Sequence, residues 1–334
     1  MSGMAVRIYF DLGTSNVRLF VLDGALNTLY SVRRALGAKD SAIAGNNEAL
    51  IAGMKTMYDA ALSALSLKDA DVVQIYASGM ATSPYGFEEI PHCEAPVTVA
   101  EFARRGVFSH REKKAFHREV LLVAGMKTTA DDIAFVNNTR GEEIEVVGVM
   151  ETLKQRFGDE PVAVILPGSH THVVLAEAGA GAIWGIVSNF TGELFHALKT
   201  QTILAPVMEA EVDRPDTDAL LLGAQNAARF GFNRALYIGH AMRLFQQGDA
   251  RARRCYCEGV ISGGVITALD YYGENVWQGC HNAAIVSSAY MSEVFLVLLT
   301  QSRTIENVQR IEIDAHKSYA LEGLKRIIRC RGEI

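Results

Sequence analysis

Two short apolar runs, residues 6–10 (VRIYF) and 17–22 (VRLFVL), flank a polar turn, and this pattern predicts a β-hairpin near the start of the chain. The turn holds Asp11, Gly13, Thr14, Ser15 and Asn16, residue types that close tight turns, and Asp23-Gly24 ends the second run. Over residues 48–65 the period changes. Leu50, Ile51, Met54, Met57, Tyr58, Ala61, Leu62 and Leu65 recur at the spacing of one helix face, so Met54, Met57 and Tyr58 are expected in the core. Residues 72–76 read as a strand running into Ala77-Ser78-Gly79, where a turn-rich loop through Pro84, Gly86, Pro91 and Pro96 begins.

The segment 104–118 is dense in Arg, Lys and His around Glu112, which predicts a solvated or hinge-proximal helix, with a phosphate-binding patch as the alternative. From Arg140 helical spacing continues through Ile144, Val147 and Leu153. Residues 161–166 then read as a strand meeting Pro167-Gly168-Ser169-His170-Thr171, and residues 173–176 resume an apolar run. The order strand, glycine-and-hydroxyl turn, strand therefore occurs twice, without the short regular period of a solenoid. Two related halves of one enzyme would produce this pattern.

Composition narrows the class. With 334 residues the chain is long enough for about two domains. Its 49% hydrophobic and 21% charged residues describe a globular protein that needs no structural metal or disulfide. The 32 Lys and Arg against 38 Asp and Glu give a net charge of −6, which argues against a nucleic-acid binder but not against a local anion site. Five cysteines without a CxxC pair point to reduced thiols. The N-terminal segment lacks the order of a secretory signal, and the most apolar late stretch is interrupted by Ser287, Ser288, Ser292 and Glu293, so no membrane span and a cytoplasmic location are expected. The basic Arg251, Arg253 and Arg254 are expected at the surface, and His196 and His240 as satisfied helix histidines. A homodimer is the base-rate expectation.

The two turns carry the candidate chemistry. Backbone N–H groups and hydroxyls gathered on a tight turn can cradle an anion, and Asp11 beside them could hold Mg²⁺. An ordinary hairpin loop would use the same residue types. Gly168, Ser169, His170 and Thr171 offer a second cradle at the equivalent point of the second half, and two cradles suit a polyphosphate. His170 and His172 fall on one side of an extended strand, with no third ligand at metal-site spacing. Arg140, Glu142, Glu143 and Glu145 open a helix, where acidic residues serve the helix dipole or act as a general base.

The segments DLGTSNVRLFVLDG, SGMATSPYGFEEIPHCEAP, TRGEEIEVVG, LPGSHTHVVL, FTGELFHAL and YCEGVISGGVITALD, in this order, resemble the 2-keto-3-deoxygalactonate kinase family. The match runs over residues 8–270, with a looser one at IDAHKSYALEGLKRII. The resemblance implies an α/β, two-lobed actin-like ATPase (ribonuclease H-like) fold with mixed sheets and flanking helices. It would place an N-terminal lobe at 1–125, a C-terminal lobe at 126–314, and a final helix at 315–334 returning to the first lobe. It implies ATP- and Mg²⁺-dependent phosphorylation of 2-keto-3-deoxygalactonate to its 6-phosphate, as a step in galactonate breakdown. The nucleotide would be clamped between the lobes.

In that reading Asp11, Gly13, Thr14, Ser15 and Asn16 form the first phosphate loop, with Asp11 at Mg²⁺, and Gly168, Ser169, His170 and Thr171 form the second. Gly79, Met80, Ser83, Gly86, Phe87 and Glu89 contact the sugar acid. Arg140, Glu142 and Glu143 are the catalytic group. Where the family carries Asp ahead of its RGEE, this chain has Asn137-Asn138-Thr139, so the base would be Glu142 or Glu143; His172 stands at the family's lysine. The alternatives are a kinase for another sugar acid and a non-catalytic sugar-acid-binding relative.

Overall fold

The computed structural model describes residues 5–313 and 318–333; the Asp314–Lys317 part of the looser family match lies outside them. The chain divides into two compact units, one formed by residues 1–151, 181–183 and 316–334 and the other by 152–180 and 184–315.

In the first unit the expected hairpin forms from β1 (Val6–Leu12) and β2 (Val17–Leu22), and β3 (Thr28–Arg34) extends it. After helices α1 (Ala38–Ala44) and α2 (Glu48–Ala64), β4 (Val72–Gly79) pairs parallel to β1. Two short strands, β5 (Cys93–Glu94) and β6 (Val97–Thr98), and α3 (Val99–Arg105) precede β7 (Val107–Arg111) and β8 (Glu119–Val123). The six-stranded order is β3-β2-β1-β4-β8-β7. A central strand covered on both faces must be apolar along most of its length, and β1 is: Val6, Ile8, Tyr9 and Phe10 have no exposed surface. Leu50, Ile51, Met54, Met57, Tyr58, Ala61 and Leu62 of α2 are buried, as their spacing predicts.

The expected helix over 104–118 does not form beyond Arg105. Residues 107–111 are instead the edge strand β7, paired antiparallel to β8, and a loop follows. The buried Glu112 carboxylate closes that loop, accepting from the amides of Lys114 (2.6 Å), Ala115 (2.8 Å) and Phe116 (2.6 Å), while the Phe116 ring enters the core. Charge density concealed a strand-and-turn pattern.

Residues 126–151, expected in the C-terminal lobe, cluster with the first unit. Two short strands, β9 (Met126–Lys127) and β10 (Asn138–Thr139), join β5 in a small sheet. Most of α4 (Glu142–Phe157) also belongs there.

The second unit repeats the plan. β11 (Pro161–Pro167) and β12 (His170–Glu177) form a hairpin, β13 (Ala182–Phe190) extends it, β14 (Asn282–Ser287) pairs parallel to β11 and β15 (Asn307–Glu312) parallel to β14. The order β13-β12-β11-β14-β15 matches β3-β2-β1-β4-β8 strand for strand. Its helices are α5 (Gly192–Gln201), α6 (Ala205–Met208), α7 (Thr217–Phe230), α8 (Phe232–Leu244), α9 (Ala250–Asn275) and α10 (Ala289–Leu299). α11 (Tyr319–Cys330) belongs to the first unit.

Two expectations for the second unit fail. Arg254 is not a surface residue: its guanidinium lies 5.2 Å from the Phe195 ring centre and 4.9 Å from that of Tyr290, and pairs with the buried Glu258 at 3.7 Å. α9 is enclosed on most sides, so a basic residue one turn before Glu258 is drawn inward. His240 is not satisfied either, since its buried Nδ1 has no hydrogen-bond partner among the described residues.

Each unit contains a helix pair brought together by reciprocal glycines. A Cβ at Gly223 of α7 would fall 2.0 Å from the Tyr256 carbonyl oxygen of α9, and one at Gly259 of α9 would fall 1.9 Å from that of Leu220. Gly148 of α4 and Gly323 of α11 do the same against Tyr319 and Ile144. Neither site has room for a methyl group while the helices keep their spacing. Gly259→Ala is expected to cost about 1–3 kcal/mol by forcing α7 and α9 apart, read as a lowered melting temperature; unchanged melting would show that this approach is not tight in solution.

Candidate active site

The end of β1 brings Asp11 into register with Arg18 on β2, and the two pair at 2.6 Å. Burial pushes the Asp11 carboxyl up; Arg18 opposes this and Glu142 adds to it. The turn after it is held from below. The Gly13 amide donates to the Asn16 carbonyl (2.8 Å), while the Gly13 and Thr14 carbonyls accept from Ala38 (3.2 Å) and Lys39 (2.9 Å) at the start of α1. A Cβ at Gly37 would fall 2.2 Å from the Thr14 oxygen, so a glycine is needed where α1 meets the turn. Gly13, Thr14 and Ser15 are exposed, and Asn16 is half-buried. The Gly13 N–H is thus taken within the turn, which leaves its role as close backbone approach rather than donation.

Three backbone segments meet beside Asp11. Gly79, at the end of β4, has φ +68°, and a Cβ there would lie 2.4 Å from the Leu12 carbonyl oxygen; Gly141, with φ +126°, places its own missing Cβ 3.4 Å from the Gly79 Cα. Both conformations favour glycine. The first turn of α4 is thereby set against the end of β1. Glu143 is wholly buried, and its oxygens accept from the Gly141 amide at 3.0 and 2.9 Å. Burial, reinforced by Glu142, pushes its carboxyl up to about 7. Half-buried Glu142 accepts from the Arg140 amide at 3.1 Å.

Glu145, expected at this helix start but outside the catalytic set that the family resemblance implies, lies 4.0 Å from Arg18. Burial and the charges of Asp11 and Glu142 push its carboxyl up. The signal was available in the three-residue spacing from Glu142, which puts both on one helix face.

The expected sugar-acid loop is only partly directed outward. Ser83 is buried and donates to the Met80 carbonyl (2.8 Å), and a Cβ at Gly86 would lie 2.3 Å from that same oxygen. Phe87 is a core residue, packed edge-on against Phe116 at 5.9 Å between ring centres. Met80 is half-buried and Glu89 exposed. Arg140, expected to be catalytic, turns its side chain to this loop: it donates to the Thr82 carbonyl and, at 2.7 Å, to the Thr82 hydroxyl. His92 lies 3.4 Å away, and burial together with Arg140 lowers its imidazole to about 4.

In the second unit the Gly168–Ser169 turn joins β11 to β12, with Pro167 opposite Thr171. Gly168 and Ser169 are exposed. α5 begins against this turn: a Cβ at Gly192 would fall 2.3 Å from the Gly168 carbonyl oxygen, and the Glu193 amide donates to that of Ser169 at 2.7 Å. Thr171 faces inward, its hydroxyl 2.8 Å from that of the buried Thr191. His170 is partly exposed, stacked edge-on against Phe190 and 3.3 Å from Glu193. His172 is buried on the Ser188 hydroxyl at 2.9 Å. Among the described residues no three His, Cys, Asp or Glu side chains are grouped to hold a metal ion, and no helix is long and apolar enough to cross a membrane.

The repeated mixed sheet with a glycine-and-hydroxyl turn at each hairpin defines an α/β protein of the actin-like ATPase class. The 2-keto-3-deoxy-galactonokinase family pattern matches residues 11–327, and the chain belongs to that family, hence to the sugar-acid kinases. A Sinorhizobium meliloti structure assigned as a 2-dehydro-3-deoxygalactonokinase superposes with a TM-score of 0.76 at 24% identity, covering 98% of this chain and 100% of that one. The activator of the 2-hydroxyisocaproyl-CoA dehydratase from Clostridium difficile, with bound ADPNP, superposes at 0.50 and 10% identity, covering 98% and 96%. No curated protein matches the chain.

Glu143 generates a pH prediction. An acid held near 7 when folded and near 4.5 when free binds more protons in the folded state between those values, so stability falls as pH rises through that window. Glu143→Gln removes this cost. Denaturant titrations at pH 8 are expected to find the variant more stable by about 3 kcal/mol, with the advantage shrinking below pH 7 and gone near pH 4. A variant no more stable at pH 8 would show that the native carboxylate is ionised without penalty.

Proposed function

We propose that the chain transfers the γ-phosphoryl group of ATP to the 6-hydroxyl of 2-keto-3-deoxygalactonate, serving galactonate breakdown in the cytoplasm. Family membership supports a sugar-acid kinase, and the bound ADPNP of the Clostridium difficile relative supports nucleotide use on this fold. Five cysteines, all free, suit a reducing compartment. The observation that carries the mechanism is the set of Asp11, Glu142, Glu143 and Glu145 at the meeting of β1, β4 and α4, with Arg18 as partner to two of them.

In this reading the exposed Gly13–Ser15 turn receives phosphate oxygens through backbone and hydroxyl donors, and the Gly168–Ser169 turn of the second unit offers an anion the same donor types. Asp11 suits Mg²⁺: the carboxylates beside it outnumber the arginine, and this ion usually takes one or two carboxylates with the rest of its shell from phosphate and water. When bound, Mg²⁺ would neutralise charge developing on the phosphates. Met80 and Glu89 are the loop residues left to meet the sugar acid, while Gly79, Ser83, Gly86 and Phe87 shape the loop.

Glu142 is the base. A base must reach the proton it takes, and Glu142 is half-buried whereas Glu143 is enclosed with both oxygens on the Gly141 amide. The hydroxyl proton passes to Glu142 as the new P–O bond forms and the bond to ADP breaks. Glu143 fixes the backbone that presents its neighbour.

The test is ADP release from protein with MgATP, with and without 2-keto-3-deoxygalactonate. Sugar-dependent release is expected, with Glu142→Gln lowering kcat by about 10²- to 10⁴-fold at nearly unchanged KM and Asp11→Asn lowering it strongly without unfolding. Full activity in Glu142→Gln would move the base elsewhere. Tight sugar-acid binding without any MgATP turnover would favour the non-catalytic relative, and turnover on a different sugar acid would replace the substrate.

A further inference from the structure

A concavity of about 420 Å³ in the first unit is lined by none of Asp11, Glu142, Glu143 and Glu145 and by no residue of the two glycine-and-hydroxyl turns. Its wall is the edge strand β7 and the loop after it, which carry His110, Arg111, Lys113 and Lys114; Phe87, Ile51 and Asn47 lie on the opposite side. Cations dominate here although the whole chain is acidic. Glu112 is turned inward onto three loop amides, and Glu88 pairs with His110 at 2.5 Å. The exposed side chains of Arg111 and Lys113 have no hydrogen bond or ion pair among the described residues, while Lys114 reaches the Asn47 side-chain oxygen at 2.8 Å.

The loop that presents these cations is fixed rather than free. Three amides converge on the Glu112 carboxylate, the Glu112 amide donates to the Arg118 carbonyl (3.0 Å), and Phe116 is anchored in the core. Ordering is therefore already complete before a ligand arrives, which lowers the cost of binding. A concave surface on which cations outnumber carboxylates concentrates the field on an incoming anion.

We propose that this pocket binds a small polyhydroxylated anion, with Arg111 and Lys113 on the anionic group, Glu88 and Asn47 on hydroxyls, and the carbon chain over Phe87. It is a second site, lined by none of the residues of the acidic cluster. It is also coupled to the loop of residues 79–90, because Phe87 and Glu88 belong to that loop and the Asn47 amide donates to the Gly86 carbonyl at 2.6 Å. An occupant holds the loop from behind. This coupling rests on the proposed role of the loop in sugar-acid binding; the binding itself does not.

Calorimetric titration of the full chain with 6-phosphogluconate, gluconate and inorganic phosphate tests the site. 6-Phosphogluconate is expected to bind in a salt-sensitive manner, about tenfold or more weakly in the Arg111→Ala/Lys113→Ala double variant, and equally well in Asp11→Asn. Both substituted side chains of the double variant are exposed, so it is expected to melt as the parent does. Inorganic phosphate, lacking hydroxyls and a carbon chain, is expected to bind more weakly. Affinity unaltered in the double variant, affinity lost in Asp11→Asn, or no binding of any of the three anions would overturn the proposal, and inorganic phosphate binding as well as 6-phosphogluconate would overturn its polyhydroxyl part. Turnover assays read the coupling separately: with 6-phosphogluconate present, KM for the sugar acid is expected to shift while kcat holds, and the shift should vanish in the double variant. Binding without that shift would overturn only the coupling.

Discussion

The contact among Leu12, Gly79 and Gly141 sets the geometry on which the acidic cluster depends. A side chain at either glycine would separate the ends of β1 and β4 from the first turn of α4. With both Cβ atoms missing, Asp11 on a strand and three glutamates on a helix come within electrostatic reach of one another. Arg18 then has a structural consequence larger than its own ion pair: it is the cation that meets both Asp11 and Glu145. Surface ion pairs of this kind contribute little, but a partly buried cation between carboxylates offsets repulsion that would otherwise drive α4 away from β1.

The same device, a missing Cβ at a backbone crossing, recurs away from the cluster. Gly223 with Gly259, and Gly148 with Gly323, allow helix pairs to approach to the distance of a carbonyl. In the second unit Gly192 does for α5 and the Gly168 turn what Gly37 does for α1 and the Thr14 turn in the first. Each turn is therefore backed by the start of a helix and by a glycine. This parallel, together with the shared strand order, ties the two halves more closely than the likeness of their turns in the sequence alone.

Much of the architecture was legible because periodicity reports burial directly. The hairpin of β1 and β2, the buried face of α2 and the strand-turn-strand of β11 and β12 all follow from it. Residue type was a poorer guide to direction. Ser83 and Thr171 are hydroxyls on glycine-rich turns, yet both face inward onto local partners. Phe87 sits in a loop by sequence and in the core by packing. Arg140 shows the same limit for charge: it is drawn to Thr82, a partner distant in sequence that no local pattern reveals, and Arg254 meets Tyr290 as well as Glu258 one turn on. The β7 strand was hidden because its alternation is carried by Ser, His and Arg.

The cluster also explains why its own carboxylates are costly. Burial and mutual repulsion both raise Glu143 and Glu145, and a fold selected for stability alone would replace one of them with a neutral side chain. Local conflicts of this kind are expected where a site requires them. A cation bound there would relieve the repulsion, whereas an anion arriving without one would add to it. Under the proposed function, the unfavourable charge in the free protein is affinity held in reserve for a cation. On that reading the acidic cluster favours nucleotide arriving with its metal over nucleotide alone.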